Sequence, residues 1–243
     1  MSIEFTKSNL DSSLIELAKE FRKLSKKSTP AEIVLIGGAS ILANYGFRNS
    51  TNDMDALISA SSVMKEAINH AGDKLGLPNG WLNSDFKKTK SYSDRLFEVS
   101  VYYKTFSNIL TIRTISAEYL IAMKLMSGRQ YKFDLSDIIG ILLEHQKNNK
   151  PLTLEMIKKA TTILYGDYSN LPAFSIDFIN DVFNNANLEQ LYSSTRESEN
   201  NAKSAVLDFN KANPSVANED TINAVIEQAK KLRETKSKNG IYS

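Results

Sequence analysis

Residues 34–58, VLIGGASILANYGFRNSTNDMDALI, hold the side chains best suited to chemistry in this 243-residue chain. Asp53 and Asp55 alternate along an apolar run, and side chains two apart on a strand share one face. Two carboxylates placed that way can hold a hard divalent cation that bridges phosphates. Upstream, the apolar run Ile33–Ile36 stops at Gly37 and Gly38. Glycines there let backbone N–H groups approach phosphate oxygens with no Cβ in the way. A helix predicted to begin near Ala39 or Ser40 adds its positive end. The Ser40 hydroxyl could donate to phosphate, cap that helix, or do both. Arg48 could contact phosphate or lie on the surface.

A second patch follows at Ser116–Gly128, SAEYLIAMKLMSG, which reads as a helix with Ser116 as N-cap and Glu118 in its first turn. Ala117, Leu120, Ile121 and Leu125 form an apolar stripe, and Lys124 occupies the next slot on the same face. A buried ammonium needs an anionic partner, which the Asp53–Asp55 pair or a phosphate bound there would supply. The alternative is a lysine that buries its stem and carries its head to water. In the next segment Asp134 and Asp137, three apart, are neighbours on a helix. Asp134 could equally be an N-cap, with Asp137 stabilising the first turn against the helix dipole.

The spacing GG-A-S followed by R-N-S-T-N-D-M-D resembles the signature of the nucleotidyltransferase superfamily, with its polymerase-β-like fold. The diglycine is similar to the abortive-infection (AbiEii-like) branch, many of whose members are toxins of toxin–antitoxin pairs. The run A-x-K-L-x-x-x-R-x-x-K-x-D-x-x-D-I, from Ala122 to Ile138, is similar to the closing motifs of that branch, so the likeness spans residues 31–145. It implies an active site in which Asp53 and Asp55 hold Mg2+ or Mn2+, Gly37, Gly38, Ser40 and Arg48 meet the NTP, and Lys124 with Asp134 or Asp137 completes the set. Phe133 separates Lys132 from Asp134 where the branch has Lys-Asp adjacent, which leaves the choice of aspartate open. A third metal carboxylate, if there is one, falls on Glu98, Asp85 or Asp94. The resemblance further implies an RNA acceptor, a tRNA end in particular, and a cognate antitoxin as partner.

The elements that must position these groups can be read from periodicity. Residues 9–27 predict an amphipathic helix offering Leu14, Ile15, Leu17, Phe21 and Leu24 to the core, with a basic end at Arg22, Lys23, Lys26 and Lys27. A second helix is predicted over 60–76. Residues 76–94, rich in turn formers and lysine, predict a loop at the rim of the site. Strands are predicted at Leu96–Tyr103 and Ile109–Ile115, joined at Ser107-Asn108. From Ser116 onward helical periodicity takes over, at 116–127, 134–147, 153–164, 174–185, 188–211 and 219–236. The fold class expected is α+β: a nucleotidyltransferase-like mixed sheet with flanking helices over residues 1–115, then a C-terminal helical bundle over 116–243 whose first helices complete the cleft.

Composition narrows the chemistry. The absence of cysteine excludes disulfides, thiolate metal sites and cysteine nucleophiles. With His70 and His145 the only histidines, any metal should sit on oxygen, which favours magnesium or manganese. A net charge of +2 is too small to argue for nucleic acid by itself. No signal pattern or membrane-length apolar run is present, so a cytoplasmic location is expected. Trp81 could stack on a base or anchor packing, and Lys87, Lys88 and Lys90 could join the basic end of the first helix in a polyanion groove.

The function expected is therefore a metal-dependent nucleotidyltransferase that moves NMP from an NTP to an acceptor. Two rivals are a non-catalytic protein of the same fold that binds nucleotide or partner through the cleft, and an RNA-binding adaptor that uses the lysine-rich loop.

Overall fold

The computed structural model describes residues 4–25, 30–129 and 132–212. The helix expected at 219–236, the basic tail after it, and Lys26 and Lys27 lie outside these residues.

Five strands, β1 (Ala31–Leu35), β2 (Met54–Ser59), β3 (Leu82–Asn83), β4 (Ser100–Phe106) and β5 (Leu110–Ile115), form one mixed sheet in the order β3-β2-β1-β5-β4. β1 lies antiparallel to β2 and parallel to β5. β2 and β3 run parallel, with Asp55 opposite Asn83. The β4–β5 hairpin turns at Ser107 and Asn108, both with positive φ (51° and 53°), the backbone that a two-residue turn needs to match strand twist.

Alternation decides which way each strand residue faces. Ile33, Leu35, Met54 and Ala56 join the core under α1 (Lys7–Leu24) and α3 (Met64–Leu75). Val34 and Leu57 face the opposite side, where α4 (Ala117–Ser127), α5 (Asp134–Lys147), α6 (Leu154–Tyr165) and α7 (Ala173–Asn184) pack. On that side the core runs without a break from Val34 through Ile121 and Ile138 to Ile179. α2 (Gly37–Asn44) sits between the two layers, with Ile41 in one core and Leu42 in the other. α8 (Leu188–Ala212) lies against α5. This is the α+β arrangement expected, a mixed sheet flanked by helices and followed by a helical C-terminal half. None of the described helices is long and apolar enough to cross a membrane.

Two local expectations fail for physical reasons. On α1, Leu10, Leu14, Leu17, Ala18 and Phe21 are fully buried, but Ile15 is 38% exposed because it falls off the face these residues define. The alternation F-E-V-S-V-Y-Y reads as one strand from Leu96, yet pairing begins only at Ser100, opposite Ile115. Beyond Ile115 the partner chain turns into α4, so residues before Ser100 have no strand to bond. They form turns instead, with Val99 donating to the Arg95 carbonyl at 3.2 Å and Ser100 to that of Phe97 at 3.3 Å. Glu98 therefore projects to solvent and pairs with Arg95 at 3.3 Å, far from the role of a third metal carboxylate.

Candidate active site

β1 ends and β2 begins at the same edge of the sheet, because the two are antiparallel. That topology puts Gly37, at the start of α2, beside Asp53 and Asp55; Asp55 lies on β2 as expected, whereas Asp53 stands in the bend just before the strand. A cleft of about 250 Å³ opens there, with Gly37, Asp53, Asp55, Lys124, Arg129 and Asp134 among the groups lining it. The far wall comes from the segment after β3. Asn83, Asp85, Phe86, Thr89 and Ser91 reach the cleft, so the turn-rich loop does form its rim.

The two glycines have different tasks. Gly37 has φ +53° and open space where a Cβ would stand, so it presents backbone to the cleft. Gly38 makes a close approach: a Cβ there would lie 2.7 Å from Thr51 Oγ1 and 2.9 Å from Arg48 Nη2. Gly38→Ala is expected to cost about 1–3 kcal/mol, because overpacking moves two anchored side chains. Gly37→Ala should cost about 1 kcal/mol through backbone conformation alone. Thermal unfolding of the pair measures the difference, and equal melting temperatures would refute this division of roles.

Lys124 is buried, 6% exposed, and does not carry its head to water. Its partners are not Asp53 and Asp55 but the two aspartates of α5. Nζ stands 2.9 Å from Asp134 Oδ1 and 2.8 Å from Asp137 Oδ2. Asp134 also accepts from Arg129 at 3.0 Å. Asp137 pairs with Arg48 and faces Arg196 at 3.6 Å. The result is a largely buried network in which α5 is the hub and cations arrive from α2's outgoing loop, from α4 and the residues after it, and from α8. Burial opposes the charge on Lys124, but Asp134 and Asp137 hold its proton above the ordinary lysine range. Burial likewise opposes ionisation of Asp134, and Lys124 with Arg129 overcomes it and keeps the carboxyl below the usual carboxylate range. Asp134 faces the cleft; Asp137, fully buried, stands behind it and does not line it.

Neither aspartate caps α5. The N–H groups of Leu135 and Ser136 are taken by Glu199 of α8, at 2.8 and 3.3 Å. Glu199 is buried, and that burial, with Asp137 nearby, pushes its carboxyl up to about 7 against the hydrogen bonds it accepts. Arg196 lies over the Phe133 ring, 3.7 Å from its centroid. Phe133 itself has φ +60°, an uncommon conformation for an aromatic residue, and it begins the helix with its ring under α8. The residue inserted between Lys132 and Asp134 thus turns the chain so that Asp134 enters the cleft while Phe133 docks elsewhere. Arg196 and Glu199 carry no sequence signal beyond the spacing of charges on an amphipathic helix. Arg129 and Lys132 do, as the R-x-x-K between Lys124 and Asp134.

Other candidates are placed away from the cleft. Ser40 is fully buried, and its hydroxyl accepts from the Ile115 N–H at 3.0 Å, tying α2 to the end of β5. Arg48 lies behind Gly38 and faces a neighbouring groove. Trp81 is 2% exposed and donates to the Ile68 carbonyl at 3.0 Å, a packing anchor under α3. Arg22 donates to the Ser107 carbonyl, which holds that end of α1 against the hairpin turn on the other face of the sheet.

Asp53 and Asp55 are the groups that could hold a metal. Burial first, and the Asp53 charge second, push the Asp55 carboxyl up to about 6, while Arg129 and Lys132 pull it back. A carboxylate pair strained in this way gains from a cation placed between its members. Among the described residues no cluster of three or more acidic or histidine side chains could hold a metal ion. Mg2+ fits a two-carboxylate site, since it keeps several waters and takes its remaining ligands from substrate phosphates. Asp85, at the rim and paired with Lys88 at 3.3 Å, adds negative charge to the cleft.

No curated protein and no solved structure matches the chain. Residues 12–178 match the family described as nucleotidyltransferases of unknown function (DUF6036), a span that takes in Gly37, the Asp53–Asp55 pair and the α5 hub. With more than half of its length so matched, the chain belongs to that family of nucleotidyltransferases.

Proposed function

We propose that the chain transfers a nucleoside monophosphate from an NTP to an acceptor hydroxyl in the Gly37–Asp53–Asp55–Lys124 cleft. The observation that carries this reading is the convergence of those four groups, from the start of α2, the start of β2 with the bend before it, and α4, on one opening. Asp53 and Asp55 would hold Mg2+ or Mn2+, and the chemistry such an ion would supply there is neutralisation of charge on the phosphates and the leaving pyrophosphate. Gly37 offers backbone N–H groups at the positive end of α2 to the phosphates. Lys124 presents a fixed positive charge, held in place by Asp134, which acts as a positioning residue. Asp137 anchors Lys124 and Arg48 from behind, and of the two aspartates only Asp134 lines the cleft.

The likeness of residues 31–145 to the toxin-type branch favours RNA, a tRNA end above all, as the acceptor, and a protein antitoxin as the inhibitor. The test is incubation of the protein with each α-32P-labelled NTP, Mg2+ and a cell lysate, followed by separation of RNA from protein. Label in a macromolecule, lost with chelator and with Asp53→Asn, is the expected result. Nucleotide binding without any labelled product would favour the non-catalytic reading, and RNA binding that ignores both NTP and chelator would favour the adaptor.

A further inference from the structure

Phosphoryl transfer proceeds with nucleophile and leaving group on opposite sides of the phosphorus, so a transferase needs two approaches to one point. A second groove, of about 550 Å³, adjoins the first opening at Asp53. Asp53 and Lys132 are the two residues that line both openings. The groove is bounded by the loop 48–53, by Phe133 and by α8, which contributes Arg196, Lys203, Val206 and Leu207. Four cations (Arg48, Lys132, Arg196 and Lys203) face two carboxylates, Glu4 and Asp53.

Two of these cations are committed elsewhere. Arg48 is bound to Asp137, and Arg196 lies on Phe133 and faces Asp137. Lys132 and Lys203 are exposed and make no ion pair among the described residues. Lys203 Nζ stands 5.2 Å from the Phe133 ring centroid, which fixes its head at the mouth of the groove. Two ammoniums without an ion pair among the described residues line the groove together with the shared aspartate and form a site for an anion, and a compact point charge suits phosphate. Lys132, before Phe133, lines both openings, and Asp134, after it, lines the first alone.

We infer that this groove is the acceptor site, and that it takes a phosphorylated acceptor whose phosphate is held by Lys132 and Lys203 while its hydroxyl lies at Asp53. The inference rests on the transferase reading above. In the step it implies, the acceptor oxygen bonds to the α-phosphorus of the NTP and the bond to the β-phosphate bridging oxygen breaks. Pyrophosphate leaves with that electron pair. The hydroxyl proton passes to solvent water. The phosphate can come from a nucleic acid strand or from a free nucleotide, and the groove chemistry is the same for both.

The test is fluorescence anisotropy with a labelled ten-nucleotide single-stranded RNA bearing a free 3′ hydroxyl, without NTP or metal, with AMP as competitor. Wild type is expected to bind, more weakly as salt rises. Lys203→Glu should weaken binding tenfold or more, Lys203→Arg should restore it to within about twofold, and Lys211→Glu, beyond the groove on the same helix, should stay within about twofold of wild type. Competition by AMP at equal phosphate concentration identifies a free nucleotide as the source; failure to compete identifies the strand. In parallel, binding of a fluorescent ATP analogue with Mg2+ should fall in Asp53→Asn and stay within about twofold in Lys203→Glu. If Asp53→Asn binds the analogue normally, the nucleotide-site reading fails while the groove result stands by itself. The acceptor-site inference is overturned if wild type binds neither RNA nor AMP, or if Lys203→Glu binds them as wild type does.

Discussion

Asp137→Ala is expected to destabilise the fold by about 3–5 kcal/mol, the usual cost of removing one partner from a buried ionic network. Its carboxylate is fully buried and pairs with Lys124 at 2.8 Å and with Arg48, while Arg196 stands 3.6 Å away. Alanine leaves Arg48 without its carboxylate and Lys124 with Asp134 alone, both of them largely buried. For a chain of this length the melting temperature should fall by about 10 °C. Lys124→Met in the Asp137→Ala background should then cost less than it does alone, because part of what the methionine change removes is already gone. A coupling of about 1–3 kcal/mol between the two positions is the signature of a shared network. Additive effects would mean that the two positions share no network, and a melting temperature within about 2 °C of wild type for Asp137→Ala would mean that the aspartate contributes no net stability.

The sequence carries the sheet end of the site clearly and the helical end poorly. Glycines after an apolar run and carboxylates at spacing two are local patterns, and the backbone turns them into geometry with little outside help. The oddity of Lys124 is also local: one charge on an apolar face must find an anion. Which anion is a tertiary fact. Asp53 and Asp55 lie far from Asp134 and Asp137 in sequence, and only the packing of α4 against α5 decides that Lys124 meets the second pair. Helix α8 is legible as an element, its span of Leu188–Ala212 matching the periodicity at 188–211, but its role in the site is not. Glu199 caps α5 across 64 residues of sequence, and nothing in its neighbours distinguishes it from a solvated glutamate. The misread strand at Leu96 shows the same limit from the other side. Alternation predicts which faces a strand would have, and it says nothing about whether a partner strand extends far enough to pair with it.

Asp55→Asn is expected to abolish transfer and yet stabilise the protein, and the pH dependence separates this outcome from a merely damaged fold. In the folded chain the Asp55 carboxyl sits at about 6, raised by burial and by Asp53. Its unfolded value is that of an ordinary aspartate, near 4. Between those two values the native state binds the extra proton, so stability falls as pH rises through the window and stays lower above it. The loss should amount to about 2 kcal/mol, allowing for partial solvent exposure. Asparagine has no proton to lose, so the variant should match wild type near pH 4 and exceed it at pH 7. Added Mg2+ should restore wild-type stability at pH 7 by neutralising the pair, and should do little for the variant. Transfer should fall by about a hundredfold or more in Asp55→Asn, since metal-held charge at the α-phosphate contributes several kcal/mol to the barrier. Melting curves across pH 4–8, with and without Mg2+, provide the decisive comparison. A wild-type profile that is flat from pH 4 to 7, or a variant that responds to Mg2+ as strongly as wild type, would remove the carboxylate pair from its place as the metal site.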